Sequence, residues 1–121
     1  MAPAPYLAVG QVIESAGEVV APIVGWAQTP RTRIRGLLGR TEMIDHGAFV
    51  LCGARQVHTF GLDRPIDVAL CDRNWRVLHV ARSMRPNRIG RAVLRAHFAI
   101  EARAGAFGAL TRGDRLSLRD S

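Results

Sequence analysis

The sequence predicts an α+β fold: a mainly antiparallel, barrel-like β-sheet carrying two short helices. Three observations lead there. Short apolar runs rich in Val, Ile, Leu and Phe recur along the chain, separated by Gly, Pro, Asn and Asp. Only two segments, 29–40 and 104–114, depart from that strand-like pattern. The length of 121 residues, with 48% hydrophobic and 22% charged side chains, suits a globular chain able to bury an ordinary core. No repeat, low-complexity tract or linker interrupts it, so one domain spanning 1–121 is expected.

In chain order, "YLAVGQVIE" (6–14) and "VVAPIVGWAQ" (19–28) read as strands joined across "SAGE". "TPRTRIRGLLGR" (29–40) then switches period. Thr29 is a good N-cap, and Pro30 fits the first helical position, where its missing N–H costs nothing. Ile34, Leu37 and Leu38 form an apolar stripe at i, i+3, i+4, and Gly39 is placed to end the helix left-handed. "GAFVLC" (47–52) is a buried strand. Residues 66–82 read as a hairpin turning at "DRNW", with Asn74 as the left-handed residue. Alternation sets Ile66, Val68 and Leu70 on one face of its first strand, and Asp67, Ala69 and Cys71 on the other. A loop, 83–91, leads to the strand 92–102. There Leu94, Ala96, Phe98 and Ile100 are expected inside, with Arg95, His97 and Glu101 outside. "AGAFGALTRGD" (104–114) reads as the second helix, ending at Gly113, and "RLSL" (115–118) as the last strand.

The formal net charge is +7, and all seventeen basic residues are arginine. Lysine's absence beside abundant Ala and Gly reads as coding bias, but the charge still favours anionic partners. No run approaches the roughly 18 apolar residues of a membrane span, and the first residues lack a basic leader. A cytoplasmic location is therefore expected. Cys52 and Cys71 end apolar runs without a CxxC and read as small core residues. The four histidines lack zinc spacing, so neither metal nor cofactor is expected.

The ordered set "RGLLGR" (35–40), "VHTFG" with "PIDV" (57–68), "CDRNWRVL" (71–78), "RP" (85–86) and "GDRL" (113–116) resembles the prokaryotic domain-of-unknown-function family 192. The likeness runs from about residue 7 to residue 118. It implies a compact, strand-rich fold with short helices and carries no established activity. This chain departs from the family pattern at Leu62, Asp63 and Arg64, and has Trp75 where a turn glycine is usual. That departure is why Asn74 is assigned the left-handed position. Pro65 and Asp67 belong to the pattern common to the family's forms, one of which lacks the His-Thr pair.

The candidate chemistry centres on residues 57–67. His58 and Thr59 are adjacent, so on extended backbone they face opposite ways, and His58 is badly placed to activate Thr59. A histidine hydrogen-bonded into a loop is the better reading, with donation to an anionic ligand still open. Asp67 interrupts an apolar strand, and a buried carboxylate needs partners. Backbone N–H groups of the 58–64 loop, or Arg35 or Arg40, are the expected ones, in a structural role. The basic segments 31–40 and 82–95 are either solvated surface or the rim of a pocket floored by His58 and Asp67.

The preferred function is a non-catalytic binding module. Its site would lie where the 57–67 loop meets the 30–40 helix, for a small anionic ligand or a partner protein. Arg35, Arg40, His58, Thr59, Asp67 and Arg85 are its candidate ligand-binding residues, and Gly36, Gly39, Gly61, Pro65, Asn74 and Gly113 are structural. A small hydrolase or isomerase using His58 and Asp67 is the first alternative. Weak nucleic-acid binding is the second, disfavoured because the basic segments hold no aromatic residues for base stacking. Oligomeric state is not legible.

Overall fold

The computed structural model describes residues 10–120. Seven strands form one curled sheet: β1 (Gln11–Ser15), β2 (Glu18–Ala27), β3 (Ala48–Cys52), β4 (Ile66–Cys71), β5 (Val77–Met84), β6 (Phe98–Arg103) and β7 (Leu116–Asp120). Their spatial order is β5-β4-β6-β3-β2-β1-β7. All neighbours are antiparallel except β2 and β3, whose parallel pairing requires the crossover made by residues 28–47. The sheet edges approach one another at one corner, where Val77 N–H donates to Asp114 O and Gly113 N–H to Val77 O, both at 2.8 Å. The result is a half-barrel. The portion of the first predicted strand at 6–9 lies outside the described residues; β1 begins at Gln11.

Helix is scarcer than the sequence predicts. The helix α1 (Pro30–Arg35) begins as expected, with Thr29 and Thr32 capping each other reciprocally. It ends at Gly36 (φ 49°), a full turn early, and a 3-10 turn follows at Thr41–Asp45. That early stop breaks the apolar stripe: Leu37 is buried, but Ile34 and Leu38 remain 74% and 49% exposed. The second predicted helix does not form. Residues 104–113 instead run as consecutive turns, with Ala106 N–H donating to Arg103 O and Leu110 N–H to Phe107 O. Gly105, Gly108 and Gly113 each weaken a helix there by about 1 kcal/mol, and Asp67 takes the N–H groups of Gly105 and Phe107.

The β4–β5 hairpin forms where predicted, with its left-handed residue moved by one. Trp75, not Asn74, has the positive φ, 64°. Asp72 Oδ1 accepts from the N–H groups of Asn74 and Arg76, which sets the turn, and the Trp75 ring stacks on Phe98 with centroids 3.8 Å apart. The stack compensates a backbone conformation that costs a side chain about 1 kcal/mol. Trp75→Gly should therefore be more stable than Trp75→Ala by about 1 kcal/mol, read from urea midpoints, because both lose the stack and only alanine keeps the strain.

Burial has two layers. One cluster, with Ile13, Val50, Ala69, Cys71, Ile100 and Phe107, fills the concave side of the sheet. The other, with Leu37, Met43, Phe49, Leu51, Val57 and Val68, packs between the opposite face and the crossover with the 54–62 segment. The two clusters cover both faces of β6, with Ile100 and Ala102 in the first and Ala99 in the second. Glu101, expected outside, is consequently buried. Leu94, expected inside, is 81% exposed, because the strand starts only at Phe98 and 92–97 is irregular. No helix among the described residues is long and apolar enough to cross a membrane.

Candidate functional site

Thr59 ties the 57–61 segment to the 85–88 loop. Its backbone N–H donates to Arg88 O, its carbonyl accepts from Asn87, and its hydroxyl donates to Arg85 O at 2.6 Å and accepts from Arg88 N–H at 2.9 Å. Thr59 is fully buried with its hydroxyl engaged on both sides, so it clamps the 85–88 loop and is not open to a ligand. Asn87 Oδ1 accepts from Gly61 N–H, and Gln56 Nε2 donates to Gly90 O. These bonds fix the 56–61 segment as a wall facing α1.

Between that wall and α1 lies a narrow pocket of about 50 Å³ lined by Arg33, Arg35, Gly36, Gln56, His58 and Glu101, with apolar residues around them. Its base comes from β3 and β6, through Leu51 and Glu101. Its mouth carries exposed Ile34, Leu38 and Phe60. His58 Nδ1 accepts from Phe60 N–H at 3.3 Å, which leaves Nε2 to carry the proton of the neutral ring. Arg33 spends one N–H on Cys52 O at 3.0 Å. Gly36 passes over the base with a positive φ of 49° that favours glycine, and a Cβ there would make only ordinary contact with Glu101 Oε1, at 3.8 Å.

Glu101 is the unusual group. It is 3% exposed, and among the described residues its Oε1 has no hydrogen-bond partner. Burial pushes its carboxyl up to about 8, partly opposed by Arg40. Arg40 donates from Nε to Gly36 O at 2.8 Å and sits over the Phe49 ring, 5.0 Å from its centroid. Burial lowers the Arg40 pKa from its ordinary value; Arg35 adds to that and Glu101 opposes it. A buried, unsatisfied polar atom facing a pocket is rare enough in folded chains to demand an explanation, and binding is one of the few available.

Asp67 belongs elsewhere. Its carboxylate is fully buried and accepts from the backbone N–H groups of Ser83 (2.8 Å), Gly105 (3.0 Å) and Phe107 (3.0 Å). Neither the 58–64 loop nor an arginine is its partner, because Asp67 shares the β4 face of Ala69 and Cys71, turned away from α1. His58 and Asp67 therefore do not share a pocket. Of the six sequence candidates, Arg35 and His58 line the pocket, and Arg40 lies beside its buried acid. Arg85 is exposed and lines no part of it. Gly36, Gly39, Gly61 and Gly113 all have positive φ, and Pro65 leads directly into β4. Glu101, expected on the outer face, is a pocket residue that the sequence reading did not include, although "FAIEA" carries the same signal as "PIDV": a carboxylate inside an apolar strand. Among the described residues, no three His, Cys, Asp or Glu side chains gather as a metal would need.

The family profile described as DUF192, uncharacterized ACR, matches residues 11–118. The chain belongs to the DUF192 family. No curated protein matches it. Two solved structures share the fold at 16% identity. A protein of unknown function from Novosphingobium aromaticivorans DSM 12444 superposes with a TM-score of 0.75, over 88% of this chain and 82% of that one. A "putative transcription regulator" from Sinorhizobium meliloti 1021 gives 0.73, over 88% and 90%. At that identity the likeness to these structures concerns the fold alone.

Proposed function

We propose that this DUF192 chain is a binding module whose site is the pocket between α1 and the 56–62 segment, and that it takes a small anionic group. The observation that carries the proposal is the buried Glu101 carboxyl at the base of a pocket edged by arginines, its Oε1 without a hydrogen-bond partner among the described residues. Around it, donors predominate: Arg33, Arg35 and the Nε2–H of His58. Such a set favours an anion over a cation, since a guanidinium or ammonium ligand would meet like charge. The small volume admits one functional group, with the remainder of the ligand resting on the mouth. Titration calorimetry with small carboxylates and phosphate esters tests this. Affinity should fall at least tenfold in His58→Ala or Arg35→Ala, and retention of full affinity in both variants would place the site elsewhere.

A second reading rests on a separate surface. A broad groove on β5 and the 91–95 segment is lined by His79, Arg91, Arg95 and Arg112, with Arg82 adjoining. Its charge suits a polyanion, and one fold neighbour is named as a regulator of transcription. An oligonucleotide added to the same titration series would show affinity dropping steeply with salt if this groove binds nucleic acid.

A further inference from the structure

We propose that the α1 pocket recognises a carboxylate carried on an apolar chain, and that Glu101 enters as a neutral acid donating its O–H to that carboxylate. The inference rests on the anion-binding reading and names the ligand and the role of Glu101. Its geometric basis is that three kinds of group line one small pocket. At the base is the buried Glu101 Oε1, with no partner among the described residues. Along the wall stand Arg33, Arg35 and His58. At the mouth, Ile34, Leu38 and Phe60 are 74%, 49% and 48% exposed.

Each layer selects for one part of the ligand. An ionised Glu101 would repel any anion, so the base accepts one only when that carboxyl keeps its proton. The groups facing Glu101 set that state. Arg33 and Arg35 on α1, Arg40 on the turn after it and His58 on the opposite wall are cationic or neutral. Phe49 and Val68, its partners on β3 and β4, and Met43 and Ile44 of the 3-10 turn are apolar. Burial outweighs Arg40 and holds the carboxyl up at about 8, so the neutral acid dominates at pH 7. An acid facing a carboxylate makes a short O–H···O⁻ bond, and a planar guanidinium matches the same planar anion. A pocket of about 50 Å³ suits one flat carboxylate better than a bulkier tetrahedral phosphate. The apolar mouth then covers a hydrocarbon tail, whether that of a free acid or of a chain's C-terminal residue.

The test uses hexanoate, hexyl phosphate and hexylamine, titrated into the full chain and into Glu101→Gln and Glu101→Leu at pH 7.5 and 9.5. Hexanoate should bind at pH 7.5 and lose about tenfold or more by pH 9.5, as Glu101 ionises. Glu101→Gln keeps a neutral donor and should bind hexanoate equally at both pH values, whereas Glu101→Leu should not bind it. A peptide ending in free Leu, set against its amidated form, assigns the source: binding of the free form alone supports a C-terminus, and binding of hexanoate alone supports a free acid. Tighter binding of hexyl phosphate, or a hexanoate affinity indifferent to pH in the wild-type chain, overturns the carboxylate assignment and leaves the anion site standing. Preference for hexylamine at the higher pH, or no binding of any probe, overturns both.

Discussion

Asp67→Ala should destabilise the chain by about 3–5 kcal/mol, enough to unfold many domains of this size outright. The carboxylate is fully buried and accepts three backbone hydrogen bonds, from Ser83, Gly105 and Phe107. Alanine leaves all three N–H groups without an acceptor in a dry environment. Asp67→Asn separates shape from charge. One carboxylate oxygen serves Ser83 and the other serves both Gly105 and Phe107, so whichever way the amide is turned, its NH₂ faces a donor. A cost of about 2–3 kcal/mol is expected for it, measured by urea midpoints, with faster hydrogen exchange at the Gly105 and Phe107 amides. A loss below about 1 kcal/mol in Asp67→Ala would falsify the claim that this carboxylate organises the 104–113 turns. Any Asp67→Asn protein that remains folded should still bind at the α1 pocket, because Asp67 lies on the other face of β4. Turnover abolished by that substitution, with fold and binding intact, would instead favour the hydrolase reading.

What could be read from the chain follows the reach of local chemistry. Thr29 and Pro30 announce the start of α1 because capping and a fixed φ are settled within four residues. The β4–β5 hairpin is legible because alternation and a turn signal both fall within one short segment. The failures share a cause: each depends on what a distant segment does. The segment 104–114 looks helical, yet it runs as turns anchored by Asp67, nearly forty residues earlier, through the Gly105 and Phe107 N–H groups. The 92–102 strand reads as half-exposed because alternation does not reveal that β6 is inserted between β3 and β4 and covered on both sides. Trp75 carries a left-handed backbone because Phe98, on a different strand, stacks beneath its ring. A pocket does lie between the 30–40 segment and the 56–62 segment, as the sequence reading expects. Its floor was misassigned for the same reason, since the Asp67 and Glu101 strands present their acids to opposite faces of one sheet.

Glu101 should make the chain lose stability as pH rises, the reverse of an ordinary paired carboxylate. Folded, its carboxyl titrates at about 8; unfolded, a glutamate titrates near 4.3. Between those values the unfolded chain has released the proton and the folded chain retains it, so unfolding gains with each pH step. The slope approaches ~1.4 kcal/mol per pH unit and flattens above pH 8, where both states are ionised. Glu101→Gln has no proton to release, so between pH 5 and pH 8 its stability should improve relative to wild type by on the order of 3 kcal/mol. His79, whose pKa is lowered by burial and by Arg91, pulls the other way, gaining stability as pH rises through the histidine range. It is common to both proteins and cancels in the difference. Parallel pH profiles for the two proteins would mean that the Glu101 carboxyl is not held neutral. Glu101→Leu extends the argument, since an apolar side chain of similar volume removes a buried polar group and should equal or exceed wild-type stability at pH 8. A position where leucine folds better and glutamate is nonetheless present is one where the carboxyl serves something other than the fold. Stability gained and hexanoate affinity lost in that single variant would locate the trade at the pocket's base.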